Sequence, residues 1–339
     1  MFFKGLGTRS SKPSPEADTK VTSDGLTGLG GRSAGRLSVS SERRPALRRR
    51  RRQRNLEGWA FIAPITMGIV LFQLIPIVLS MGASFTQWDG LSSPEFIGVR
   101  NYGDLLGGDP IFVEVLTNTM IFTVASVPLT VALAFALALM ANLKVPGTAF
   151  FRTAFFAPYV MNVVAIGFVW FYVFSPTNGI LNSALRVFGF EGPEWLADSN
   201  WVLAALVIVS VWQGVGYPMV ILLAGLQGIS EEMYEAAKLD GASAWARLRN
   251  ITIPLLSPQI FFVMLAQFIA SFQVFGLIYV MTRGGPGYSS SVYIYYLWQS
   301  AFAQGRFGYA SAMAWLVVIL IAAITWVQWK LQKRWVFYG

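Results

Sequence analysis

The sequence offers few residues for covalent or acid–base chemistry. It contains no histidine and no cysteine. The commonest general base, the commonest metal ligand and the thiolate nucleophile are therefore missing together. No HExxH or GxxxxGK[ST] pattern appears, the one GxSxG match (Gly31-Arg32-Ser33-Ala34-Gly35) has no histidine anywhere in the chain to activate its serine, and no carboxylate pair lies in an apolar run, so the chain reads as neither an enzyme nor an ATPase. What it does carry is a small set of neutral hydrogen-bonding side chains inside long apolar stretches. Trp212-Gln213-Gly214-Val215-Gly216-Tyr217-Pro218 puts an amide and two aromatic rings beside glycines and a proline that loosen a helix. Gln267, Ser271 and Gln273 lie in the following run, and Asn162 in the preceding one. Gln267 and Ser271 are four residues apart and share a helix face; Gln273 lies off that face and is expected to meet a neighbouring helix. Such groups either hydrogen-bond between helices or line an apolar cavity in which planar polar side chains and aromatic faces hold a ligand.

These residues must be positioned by membrane-spanning helices. The chain has 339 residues, of which 55% are hydrophobic and 13% charged. A soluble fold cannot hide that much apolar surface, so the expected class is an all-α polytopic membrane protein. Six runs are long enough to cross a bilayer: about 59–81, 111–141, 153–174, 201–226, 258–281 and 307–329. The second is long for one span and is expected to tilt or to lie partly along the interface. No Asp or Glu sits in the middle of any run. A proton- or sodium-driven carrier would need one, so the driving force is expected to come from outside the membrane.

The net charge of +9 belongs to residues 1–57, which hold 14 Lys/Arg against 5 Asp/Glu. This stretch is rich in Ser, Gly, Arg and Pro, has no apolar period, and reads as a disordered tail ending in Arg48–Arg52 and Arg54. A nucleic-acid arm is one reading of that run; a positive-inside anchor that touches anionic lipid is the favoured one. With the N-terminus inside, the inner connections carry Lys144, Arg152, Lys238, Arg247, Arg249, Lys330, Lys333 and Arg334. The outer ones carry Arg100, Arg186, Arg283 and Arg306. Both termini are therefore expected in the cytoplasm.

The longest polar segment between two apolar runs is Ser230–Pro258, inside a loop of about 228–257. Ser230 stands at an N-cap position, Glu231 and Glu232 favour the positive helix end, and Ile229 and Tyr234 occupy the positions of a hydrophobic staple. Gly241 ends this helix, Ser243 caps the next, and Pro254 is expected to limit it. Met233, Ala236 and Ala237 give the first helix a small, smooth face, suited to a partner's groove or to the membrane surface.

Glu235-Ala236-Ala237, then Asp240-Gly241-Ala242, then Ile253-Pro254 closely resemble the EAA loop of ABC importer permeases. Phe96-Ile97-Gly98 with Asn101-Tyr102 is similar to the FxGLxNY signature of the carbohydrate branch (the MalF/UgpA-like permeases), and Thr282-Arg283-Gly284-Gly285-Pro286 to its T-x-GGP stretch. The resemblance covers about residues 56–339. It implies a permease domain over 58–339 whose 230–242 helix couples to an ATPase through Glu235, Ala236, Ala237, Asp240, Gly241 and Ala242. It also implies alternating access, a second related permease, two cytoplasmic ATPase subunits that use ATP and Mg, and an extracellular or periplasmic solute-binding protein. The expected setting is a bacterial plasma membrane, with no cofactor bound by this chain. In such permeases the ligand-lining positions lie in the fourth and fifth runs, which makes Gln213, Tyr217, Gln267 and Ser271 the substrate-lining candidates. A glycerol phosphate or another small solute is the alternative cargo; a channel or secondary carrier is the remote one.

Overall fold

The apolar runs fold as four long helices and two bent pairs, so the described residues hold four candidate spans, or six with each bent pair taken as one. The computed structural model describes residues 58–143 and 145–337; the basic tail expected over 1–57 lies outside them. The chain falls into two units, Met1–Ile65 and Thr66–Gly339.

Helix α1 runs over Gly58–Ala83, with one π turn at Val70–Leu74. Two short strands follow, β1 (Thr86–Gln87) and β2 (Glu95–Phe96), paired antiparallel with Thr86 opposite Phe96. They are a small addition to an otherwise helical fold. The FxGLxNY-like residues have a structural task here. Gly98 takes φ +61°, and the buried Asn101 in α2 (Arg100–Gly107) donates to the carbonyls of Ser84 and Thr86, each at 2.9 Å. Tyr102 donates to Ser84 Oγ at 2.8 Å. The signature ties the loop to the end of α1.

Asp109 then caps α3 (Pro110–Ala141), accepting from the amides of Ile111 and Phe112 while Pro110 takes the first turn, where it costs no hydrogen bond. The carboxylate also accepts from the hydroxyls of Tyr296 and Tyr309. Burial pushes its pKa up, but those hydroxyls and amides outweigh it and hold the carboxyl below its usual value.

The third run is not one straight span. It splits into α4 (Thr148–Val160) and α5 (Val163–Val173), bent by 101°. Met161 is extended, and Asn162 caps α5 by accepting from Val164 N at 2.8 Å. Its side chain faces away from the buried interior, so Asn162 works as a cap. After α6 (Ile180–Val187), the fourth run forms α7 (Val202–Gly214) and α8 (Gly216–Gln227), bent by 45° at the expected Gly/Pro cluster. The fifth begins earlier than its hydropathy indicates. Helix α10 is continuous over Ala244–Phe272. Pro254 does not stop it, because a π turn at Leu248–Thr252 widens the hydrogen-bond ladder immediately before the proline that lacks an amide hydrogen. The chain breaks at Gln273, and this residue is exposed there instead of meeting another helix. Short α11 (Gly276–Met281) and α12 (Tyr293–Trp298) lead to α13 (Phe307–Gln332).

Lipid tails are as apolar as leucine, so these helices associate by close packing and interhelical hydrogen bonds. Glycines mark the closest approaches. A Cβ on Gly225 would meet Leu256 Cδ1 at 2.6 Å, and one on Gly216 would meet the Phe155 carbonyl oxygen at 2.5 Å. Helix α3 lies at the centre, packed on α7, α8, α10 and α12. One buried apolar layer gathers Phe122, Ile166, Phe174, Val209 and Ile278. A second gathers Val131, Leu137, Val215, Met219, Leu222, Leu256 and Val263.

Candidate functional site

Between those two layers lies a cavity of about 390 Å³. Helix α3 contributes Ser126, Val127 and Thr130, which fall between Phe122 of one apolar layer and Val131 of the other. Helix α7 contributes Ser210, Gln213 and Gly214, and α8 contributes Tyr217 just past the 45° bend. Helix α10 brings Ala266, Gln267, Ala270 and Ser271, and Tyr159 completes the wall from α4. Tyr217 follows the break at Val215 by two residues and Tyr159 precedes the break at Met161 by two, so each bent pair gives the cavity one residue beside its bend.

All four residues picked from the sequence, Gln213, Tyr217, Gln267 and Ser271, line this one cavity. They are not equivalent. Ser271 Oγ lies 2.9 Å from Thr123 Oγ1 and donates to the Phe268 carbonyl at 2.7 Å. It is a buried interhelical link as much as a wall residue. Tyr217 stacks on Tyr159, with centroids 5.3 Å apart and planes 15° from parallel. The stacked pair forms a flat aromatic wall, while the amides of Gln213 and Gln267 are two-way hydrogen-bonding groups. Ser126, Thr130, Ser210 and Tyr159 escaped the sequence reading. A signal existed for α3: Asn118, Thr119, Thr123, Ser126 and Thr130 follow a helical period and are all buried. A Ser or Thr hydroxyl is a weaker signal than an amide, because it can bond a carbonyl of its own helix, as Thr119 does to Val115. No charged side chain lines the cavity among the described residues.

The second candidate region is the loop helix α9 (Glu231–Leu239), which begins at the Ser230 position but without a side-chain capping bond. Its end is better defined. Gly241 N–H donates to the Lys238 carbonyl at 3.0 Å and Ala242 N–H to the Ala237 carbonyl at 2.9 Å. This is the Schellman pattern, and it requires the left-handed φ of +77° found at Gly241. Ser243 Oγ accepts from Ala246 N to start α10. Tyr234 links the two helices: its hydroxyl lies 3.0 Å from Thr252 Oγ1, on the π turn of α10. Glu235, Ala236 and Asp240 are exposed, Ala237 is half-buried, and Met233, Leu239 and Trp245 present exposed apolar surface. The helix is held by its cap and by Tyr234, with its outer face uncovered.

A profile of the family described as binding-protein-dependent transport system inner membrane component matches residues 130–336, which include the loop and the cavity helices other than the part of α3 before Thr130. The chain belongs to that family. Its members are ABC importer permeases, membrane subunits of transporters and not enzymes. The chain is 36% identical to a probable ABC transporter permease, YesP, of Bacillus subtilis, over 85% of this chain and 94% of that one. It is 34% identical to the lactose transport system permease LacF of Rhizobium radiobacter, covering 84% and 96% of the two chains. A bacterial ABC transporter that imports the acidic polysaccharide alginate shares the fold, with a TM-score of 0.72 at 20% identity over 83% of this chain and 96% of that one. The permease is thus a multi-pass membrane protein of a binding-protein-dependent system.

Proposed function

We propose that this permease imports a neutral sugar or oligosaccharide. One observation carries the substrate class. The cavity offers amides, hydroxyls and a stacked tyrosine pair, and among the described residues no charged side chain. Hydroxyl-rich solutes need donors and acceptors at several points and an apolar face to lie on. A phosphate ester would need Arg or Lys at the wall, and neither is there. The named cargo of LacF, lactose, is in keeping with this reading.

The mechanism proposed is alternating access. An extracellular or periplasmic solute-binding protein delivers the sugar to the outer loops. Two cytoplasmic ATPase subunits, which use ATP and Mg, close and push on α9 through Glu235, Ala236, Ala237, Asp240, Gly241 and Ala242. A second, related permease completes the pathway as a heterodimer. Both termini face the cytoplasm of a bacterial cell, and this chain itself holds no cofactor. The two apolar layers on either side of the polar one supply what the cycle needs: a seal on each side of the ligand. The push reaches Gln267 along α10, roughly 35 Å from Ala244 at about 1.5 Å per residue.

The test is uptake of labelled sugar by cells carrying Gln213→Ala with Gln267→Ala. Each lost hydrogen bond is worth about 0.5–1.5 kcal/mol, so the pair should weaken apparent affinity roughly 5- to 150-fold while the assembled complex is recovered intact. Unchanged uptake by the double variant would rule out the cavity as the sugar's path.

A further inference from the structure

The inner end of α13 carries a stripe that the transport reading does not use. Trp326, Trp329, Lys330 and Lys333 occur at helical spacing and lie along one face over the last two turns. Lys330 Nζ sits 3.8 Å above the centre of the Trp326 ring. Trp326 and Trp329 are exposed, as are Lys330, Lys333 and Arg334.

Beyond the helix the chain turns back and is fastened. Phe337 N–H donates to Ser257 Oγ on α10 at 2.8 Å, Trp335 meets Phe261 edge-on at 5.9 Å, and Val336 is buried. The short return segment therefore holds Arg334 and Trp335 beside the end of α13. After Asp240 the sequence contains no Asp or Glu at all, and Arg247 and Arg249 stand at the start of α10. This end of the helix pair is a cationic surface with no carboxylate from its own elements to neutralise it.

We propose that this surface binds an anionic phospholipid such as phosphatidylglycerol. Indole rings settle at the headgroup level of a bilayer. The ammonium groups of Lys330 and Lys333 and the guanidinium of Arg334 then stand where a phosphate lies. Zwitterionic lipid presents the same phosphate with a compensating charge, so the three cations select for net negative charge. The return segment fixes the cations against α10, the helix that starts at the coupling loop. Occupancy therefore braces the α10–α13 pair around Ser257 and Phe261, on the helix that continues from the loop. That this end faces the cytoplasmic leaflet rests on the permease reading above. Lipid retention is measured without orientation or transport, so the two can fail separately.

The experiment uses the full chain in detergent micelles, titrated with phosphatidylglycerol or with phosphatidylcholine, and bound lipid is counted by native mass spectrometry. A cation at an anionic surface contributes about fivefold in binding. Phosphatidylglycerol should accordingly be held at least about tenfold more tightly, and Lys330→Gln with Lys333→Gln and Arg334→Gln should bring the two lipids within about twofold. A second readout needs no variant: raising salt from about 50 to 500 mM should weaken phosphatidylglycerol binding several-fold and leave phosphatidylcholine unchanged. Equal retention of both lipids by the unaltered protein, or a preference that survives the substitutions or the salt, would overturn the proposal.

Discussion

Gly241 shows how one residue type can be forced by backbone geometry. Its φ of +77° closes the Schellman cap of α9, and a Cβ there would meet nothing within 4 Å, so the whole cost of substitution is conformational. Gly241→Ala should destabilise the cap by about 1 kcal/mol. It should lower recovery of the ATPase with the permease while membrane insertion stays normal; pull-down yield equal to that of the unaltered chain would contradict this. Asp109 makes a different residue-scale prediction. Its pKa is lowered in the folded protein, so its contribution to stability is present above the ordinary carboxylate value of about 4 and is lost as pH falls through the folded value. Thermal unfolding in detergent between about pH 6 and 3 should show this loss, and Asp109→Asn should flatten it. Residue identity was legible from sequence where geometry leaves no choice, as at Gly241. It was not legible for Gln273, whose fate depends on where α10 ends, nor for Ser126, Thr130 and Ser210, which matter only because α3 and α7 face α10.

Elements were legible in number and less so in shape. The six apolar runs are all present, and the Gly214–Pro218 cluster loosens its helix by 45°. The 101° turn between α4 and α5 escaped hydropathy because the two arms together still read as one apolar run; its local marks are Pro158 and the capping Asn162. Pro254 misled in the other direction. A π turn absorbs it, and α10 carries on from loop to cavity without a break. That continuity gives Tyr234 its importance. Its hydroxyl contacts Thr252 on the π turn, which makes a side-chain link from α9 to α10. Tyr234→Phe should remove about 0.5–1.5 kcal/mol of this link. Uptake should fall while the complex still assembles and still hydrolyses ATP; a proportional fall in both activities would mean that Tyr234 only supports folding. Gly216 tests packing at the cavity. A Cβ there would lie 2.5 Å from the Phe155 carbonyl oxygen, with no flexible side chain to give way. Gly216→Ala should force α4 and α8 apart, cost on the order of 1–3 kcal/mol as overpacking does, and lower the melting temperature in detergent.

At the scale of the molecule, the proposed transport rests on the polar cavity between two apolar clusters, and the proposed coupling rests on the uncovered face of α9. The first was only half legible, since sequence supplied the polar residues of α7, α8 and α10 but not the layering that encloses them. Of the second, the sequence showed the short helix, its end at Gly241 and the Ser243 cap, but not the π turn that carries α10 past Pro254. The most direct measurement is to purify the protein from its native membrane in mild detergent, identify what accompanies it, and reconstitute the result in vesicles. An ATPase, a second permease and sugar uptake that requires both ATP and a solute-binding protein are the expected result. A chain that comes alone and moves solute without ATP would contradict the account.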